Sequence, residues 1–383
     1  MYNAELISRV GREVAEKQRE RCGASYSISD LAKALHLGAA SVGTERRVIL
    51  PVMATMKAWR VDELGHPSES LHLRDNVDVP EPGEGQVRIT VEAGNINFAD
   101  ILLCQGIYQE RPGVPLTPGL ETCGRINAVG PGVDLEVGTR IAGMAALPYG
   151  GYAEQALVKA HTAVPVPDDV DSPSATVLFS TFQTAHVGIH YRSQLKADEW
   201  LLVNGASSGV GAAAVQLGAA AGAKVIATAS TEAKRQHCTD LGAHVVFDAG
   251  SDSLRDDIMA ITEGHGVDVA FDPVGGTVGE VTRRVMAWEG RLIVIGFASG
   301  EIPSYPGNHL LVKNYSVIGL YWGAYSDRGF HDIVLSAHAD LMEKFQSGVV
   351  RADVTKVYAL EDVLDALDAL ESRTVTGRLV VAP

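Results

Sequence analysis

The chain has 383 residues, 46% hydrophobic and 21% charged, with 40 glycines, enough to build two domains with cores of their own. Its formal net charge of −15 and lack of any basic cluster argue against nucleic acid as a partner, since a phosphate backbone needs a concentrated cationic surface. No apolar run approaches a membrane span. The four cysteines (Cys22, Cys104, Cys123, Cys238) lie far apart with no C-x-x-C, which argues against a disulfide framework and a cysteine-rich zinc lobe and predicts a reducing, cytoplasmic setting.

Residues 1–55 read as a helical extension, with charged stretches at Glu5–Arg21 and Ser29–Leu37 and no strand signal before Val48. Glu5, Glu13, Glu16 and Glu20 do not belong in a transit peptide, and the apolar core of a secretory signal is missing, so the extension is expected to be either a misassigned start, with Met53 or Met56 opening the fold, or a small accessory element. From Met56, short strands alternate with turns (MKAWRV, GQVRITVEAG, TCGRINAVGPGV), which predicts a small β domain over 56–178. Ala175–His190 turns helical. From Trp200, strand–helix units repeat, with strands expected at Trp200–Val203, Lys224–Ala229, His244–Phe247, Val267–Phe271, Arg291–Gly296 and Val317–Leu320. Six such strands predict an α/β domain with a doubly wound parallel sheet over 179–325. The tail, 326–383, returns to a helix, the extended VTKVYAL, a helix with Val363, Leu367 and Leu370 on one face, and a last strand GRLVVA, the second part of the β domain.

Within this frame Trp200–Gly211, WLLVNGASSGVG, carries chemistry. An apolar strand breaks into small residues and then a helix, as a dinucleotide site requires, because a Cβ would keep the backbone away from the pyrophosphate. Ala206, Ser207, Gly209, Val210 and Gly211 are the candidate contacts, with the usual first glycine falling on Gly205 or Ala206 according to register. Such turns also use glycine for structure alone. The next strand ends in Ser230-Thr231 where an NAD site places a carboxylate, and Lys234 and Arg235 follow. Ser230, Thr231 and Lys234 thus suit a 2′-phosphate and favour NADPH over NADH. Lys234 and Arg235 read equally as a solvated helix face.

GNINFADILLCQGIYQ, PLTPGLETCGRINAVGPGV, GGYAEQALV, FDPVGG, GRLIVIGFASGEIP and LESRTVTGRLVV complete a pattern over Met56–Pro383. It resembles the zinc-independent quinone oxidoreductases among the medium-chain dehydrogenases/reductases. The resemblance implies a GroES-like, β-rich catalytic domain with an inserted Rossmann cofactor domain, NADPH, and a homo-oligomer, dimer or tetramer. Zinc-dependent relatives bind catalytic metal through positions that here hold Asn97, Leu120 and Ser180, so no metal is expected. His186 and His190 are spaced i, i+4 on a helix, but no third ligand goes with them.

The same resemblance implies a nicotinamide pocket of Asn97, Thr184 and the backbone at Phe297, closed by Tyr321 and Trp322. Asn97 also reads as a loop cap, Trp322 as core packing, and Arg378 as either a phosphate contact or a strand cap. Some relatives carry an aromatic or basic residue where this chain has Ala249, which leaves Lys234 as the main charged partner of the phosphate. Tyr108 in QGIY matches the proton-donating tyrosine of related enoyl-thioester reductases, although a pocket-lining ring fits as well. With no Lewis acid, hydride addition to a quinone or α,β-unsaturated carbonyl is the expected chemistry, an enoyl-CoA or 2-enone the alternative acceptor, and an NADPH-binding protein without turnover the second alternative.

Overall fold

The computed structural model describes residues 54–373 and 375–383. The predicted helices at Glu5–Arg21 and Ser29–Leu37 lie outside the described residues. The first β layer opens with a ribbon of β1 (Thr55–Val61) on β2 (Leu71–Asp78). A second sheet takes β3 (Gln86–Asn95), then, beyond the short helix α1 (Phe98–Cys104), β4 (Glu121–Val129), β5 (Arg140–Met144), β6 (Gln155–Lys159) and β7 (Val164–Pro165). Val87, Ile89 and Val91 of β3 alternate with outward Arg88 and Thr90. They bury themselves against Ile126, Ile141, Ala156 and Val158, the period-two pattern of a sheet covered on one face.

A continuous helical rod, α2, then runs through Ser172–Val177, Leu178–Phe182, Gln183–His186 and Val187–Arg192. The second layer follows in strict alternation: β8 (Trp200–Val203), α3 (Gly209–Ala220), β9 (Lys224–Ala229), α4 (Glu232–Asp240), β10 (Val245–Asp248), α5 (Leu254–Ile261), β11 (Val267–Asp272), α6 (Gly276–Val285), β12 (Met286–Val294), α7 (Gly307–Lys313) and β13 (Ser316–Gly319). Its six strands are all parallel, in the order β10-β9-β8-β11-β12-β13. The central strands β8 and β11 are apolar on both faces, with Leu201, Val203, Val269 and Phe271 buried on one and Leu202 and Ala270 on the other, because helices cover both sides. Strand order reverses between β8 and β11, the switch point at which open α/β sheets place their ligand sites. The turn at 205–208, between β8 and α3, sits at that point.

The predicted strands recur with small shifts, the largest in β12. It starts at Met286, which pairs with Val267; a bulge containing Glu289, at φ 59°, then resets the register so that Arg291 pairs with Val269. After α8 (His331–Gln346), the chain returns to the first layer through β14 (Val354–Ala359), α9 (Val363–Glu371) and β15 (Arg378–Ala382). β15 pairs antiparallel with the end of β3, Val380 opposite Asn95 and Val381 opposite Gly94, so the parallel sheet is an insertion within the β-rich layer. Among the described residues no helix is long and apolar enough to cross a membrane.

Candidate active site

The pairing of β15 with β3 puts Arg378, the first residue of the last strand, beside the β3–α1 turn. Its Nε and Nη2 donate to Asn95 Oδ1 at 3.2 and 2.6 Å, and Nη2 also reaches the Ile96 carbonyl at 3.1 Å and Asn97 Oδ1 at 2.5 Å. The guanidinium is buried, and burial lowers its pKa while Glu121, Tyr152 and Asp100 act in the opposite sense. Glu121 is itself held by Asn95 Nδ2 at 2.8 Å and by the Ser180 hydroxyl. Arginine only donates, so Asn97 must turn its oxygen toward Arg378 and its amide nitrogen away. That nitrogen is buried and has no hydrogen-bond partner among the described residues.

Asn97 is fixed from the other side by Asp100. One Asp100 oxygen accepts from the Asn97 N–H at 3.0 Å and the Tyr152 hydroxyl at 2.9 Å; the other accepts from the N–H groups of Gly119 and Leu120, both at 3.0 Å. Asp100 is fully buried, and desolvation pushes its pKa up to about 6 against the pull of Tyr152 and the backbone donors. Gly119, at φ 99°, permits the turn: a Cβ there would stand 2.7 Å from the backbone nitrogens of Gly151 and Tyr152. Leu120 and Ser180, at two of the metal-ligand positions, are a buried aliphatic side chain and a donor to Glu121.

In the turn after β8, Gly205 takes the left-handed conformation at φ 56°, and Ala206 donates to the Thr228 carbonyl at 3.0 Å. Ser208 caps α3 by accepting from the Gly211 N–H at 3.3 Å, while the Gly209 and Val210 N–H groups of the first turn have no partner among the described residues. A Cβ on Gly211 would lie 2.3 Å from the Gly205 carbonyl oxygen, and one on Gly209 would lie 2.2 Å from Arg378 Cδ. Arg378 therefore backs the phosphate loop as well as holding Asn97.

The remaining candidates take distinct places. Thr231 spends its hydroxyl on capping α4, accepting from the Lys234 N–H at 3.3 Å, and Ser230 is exposed. Lys234 Nζ donates to the Arg373 carbonyl at 2.6 Å and meets no carboxylate among the described residues, whereas Arg235 is paired with Glu232 and Asp248. Arg373 in turn donates to the Ala298 carbonyl at 2.8 Å, and Gly377 N–H reaches the Ser207 carbonyl at 3.3 Å. The chain end is thus tied to the turns after β8 and β12 and to Lys234. Arg373 was not singled out from the sequence, where it is one charged residue in a loop.

Thr184 is half-buried on α2, and Phe297 is exposed beyond β12. Tyr108 is half-buried on the core, and its hydroxyl has no hydrogen bond among the described residues; burial chiefly, then Tyr321, raise its pKa, so the phenol stays protonated. Tyr321 is open, but Trp322 is packed in the core, edge-on to Phe179 at 5.2 Å, so of these two aromatics only Tyr321 presents an open wall. His186 bonds Asp340 at 2.9 Å and stacks on His190 at 4.7 Å; among the described residues no group of three potential ligands is placed to hold a metal ion.

A family model described as an alcohol dehydrogenase GroES-like domain matches residues 83–168, and one described as a zinc-binding dehydrogenase matches residues 209–336. Asn97, Leu120 and Ser180 all fall outside the second match. The chain is 36% identical over 330 residues to the quinone oxidoreductase-like protein 2 homolog of Nematostella vectensis, covering 85% of this chain and 88% of that protein. It is 30% identical over 328 residues to the quinone oxidoreductase of Homo sapiens, covering 85% and 97%. The crystal structure of Escherichia coli quinone oxidoreductase complexed with NADPH matches at a TM-score of 0.78 and 27% identity, covering 85% of this chain and 100% of that one.

The buried Asp100 gives the site a measurable pH signature. Its pKa is about 6 when folded and near 3.8 when unfolded. Between those values the folded state keeps a proton that the unfolded chain has released, so this group's contribution to stability is full below the window and is lost as pH rises through it. In urea unfolding between pH 4 and 7, stability of the native protein relative to Asp100→Asn is expected to fall by roughly 1–3 kcal/mol. Parallel stability curves for the two proteins would contradict the assignment.

Proposed function

The chain belongs to the quinone oxidoreductase family of medium-chain dehydrogenases/reductases, and from that premise we propose that it binds NADPH and reduces a quinone or another conjugated carbonyl without a metal. The observation that carries this reading is the buried, unpaired amide nitrogen of Asn97, held in one orientation beside a phosphate loop with free N–H groups. A nicotinamide coenzyme fits these features. The Gly209 and Val210 N–H groups and the start of α3 suit a pyrophosphate, with Arg378 behind Gly209. Ser230, Lys234 and Arg373 suit a 2′-phosphate, for which Lys234 would exchange a neutral carbonyl for an anion.

When bound, the coenzyme supplies hydride to an electrophilic carbon. Asn97 Nδ2 donates to the carboxamide or to the acceptor oxygen, and its position is set before either arrives. Apolar burial around Tyr108 keeps water out, and Tyr108 O–H stands as the proton donor to the reduced acceptor. An acceptor already activated by conjugation needs no Lewis acid, and Asn97, Leu120 and Ser180 supply no ligand set for one. The protonated, unpaired Tyr108 specifically favours a second reading, an enone or enoyl thioester as acceptor, since an enolate needs a positioned acid more than a hydroquinone anion does.

Self-association is proposed through the β13 edge of the parallel sheet. β13 has no strand on its outer side among the described residues, and Leu311 and Val312 on the preceding helix are 80% and 74% exposed.

Two experiments test the reading. Chelator-treated protein is expected to oxidise NADPH with a panel of quinones and enones; in Tyr108→Phe, enone turnover should drop by about 10²–10⁴ while quinone turnover falls less. Metal dependence, or full enone turnover in the variant, would refute the mechanism. Lys234→Ala should weaken NADPH binding by roughly ten- to hundredfold and leave NADH binding unchanged. Equal losses for both coenzymes would show that Lys234 supports the fold and does not read the phosphate.

A further inference from the structure

Beyond β13 the chain forms a cavity of about 350 Å³ whose lining reverses the sign of this acidic protein. Tyr191, Tyr325 and Phe330 form one aromatic array, with Tyr191 edge-on to Tyr325 at 6.4 Å and Tyr325 tilted against Phe330 at 5.7 Å. Tyr321 adds a fourth ring, and Tyr191, Tyr321 and Phe330 are each nearly half exposed, a large apolar area to leave open. Two guanidinium groups stand among the rings. Arg192 is pinned by one bond to the Gly319 carbonyl at 2.8 Å, and the Arg328 guanidinium has no hydrogen bond or ion pair among the described residues. The nearest carboxylate in sequence, Asp327, does not neutralise Arg328, being bonded to His161 at 2.6 Å and Lys159 at 3.3 Å.

We propose that this cavity binds a planar aromatic group bearing negative charge, carried on the distal part of the acceptor. The rings offer stacking faces, and the two guanidinium groups offer donors matched to a sulfonate, carboxylate or phosphate. The volume suits a bicyclic ring. Tyr321, the open wall of the acceptor pocket in the reading above, also lines this cavity and so joins the two. The proposal rests on the reductase reading above for its connection to the acceptor, but binding to the cavity is measurable without turnover. Two sources share this chemistry: an aromatic acceptor with its own anionic substituent, or a substrate whose handle is an adenine nucleotide.

The test has a binding arm and a kinetic arm. With the coenzyme site filled by NADP⁺, naphthalene-2-sulfonate and 3′,5′-ADP are titrated calorimetrically into the full-length protein, into Arg328→Gln and into Phe330→Ala. Saturable binding of either probe, weakened about five- to tenfold in both variants, supports the proposal, and the probe that binds identifies the source. In turnover, KM for 1,2-naphthoquinone-4-sulfonate should rise by a similar factor in Arg328→Gln with kcat unchanged, while neutral 1,2-naphthoquinone keeps both constants. Binding of neither probe, or equal changes for the charged and neutral quinones, overturns it. Loss of neutral-quinone turnover in the unmodified protein would instead count against the reductase reading alone.

Discussion

The site depends on one buried cation. Arg378 reaches from the last strand into the turn after β3, where it binds Asn95, the Ile96 carbonyl and Asn97, and its side chain packs against Gly209 at the start of the phosphate helix. Burying a guanidinium is costly unless its donors and charge are met. Here Asn95 passes the charge on to Glu121, which Ser180 also holds. The turn after β8 and the Asn97 amide are therefore both set by one side chain from a third part of the chain.

A consequence is pre-organisation. Asn97 is held at its oxygen by Arg378 and at its backbone N–H by Asp100, and Asp100 is locked by four donors in a site dry enough to raise its pKa. The free amide nitrogen then carries an unmet hydrogen bond in the ligand-free protein, a cost recovered when a ligand accepts it. Removing any member of this set leaves another buried polar group without its partner, so the network fails as a unit more readily than residue by residue.

Much of this was legible in the sequence because it is local. Strand alternation in β3, apolar continuity in β8 and β11, and the small residues of Gly205–Gly211 each follow from neighbours a few residues apart. What was not legible depends on contacts across the chain. Arg378 and Asn97 are separated by 281 positions, and Lys234 and Arg373 by 139. Nothing in the spacing of TGR shows that its arginine points inward to Asn95 and Asn97, or that Arg373 joins Lys234 to the turn after β12. Trp322 was ambiguous for the same reason: an aromatic after a strand suits a pocket or a core, and only the position of Phe179 decides. Tyr152 is one letter of GGYAEQALV in the sequence, and its hydroxyl becomes informative only with Asp100 beside it.

The central claim is that Arg378 acts on the coenzyme site through Asn97 and does more than support the fold. A double-mutant cycle on NADPH affinity, using Asn97→Ala, Arg378→Met and the combined variant, tests it most directly. The account predicts that the two losses are not additive, with a coupling free energy of about 1 kcal/mol or more. Losses that add to within about 0.5 kcal/mol would contradict it, and Arg378 would then be a structural cation that happens to lie near the site.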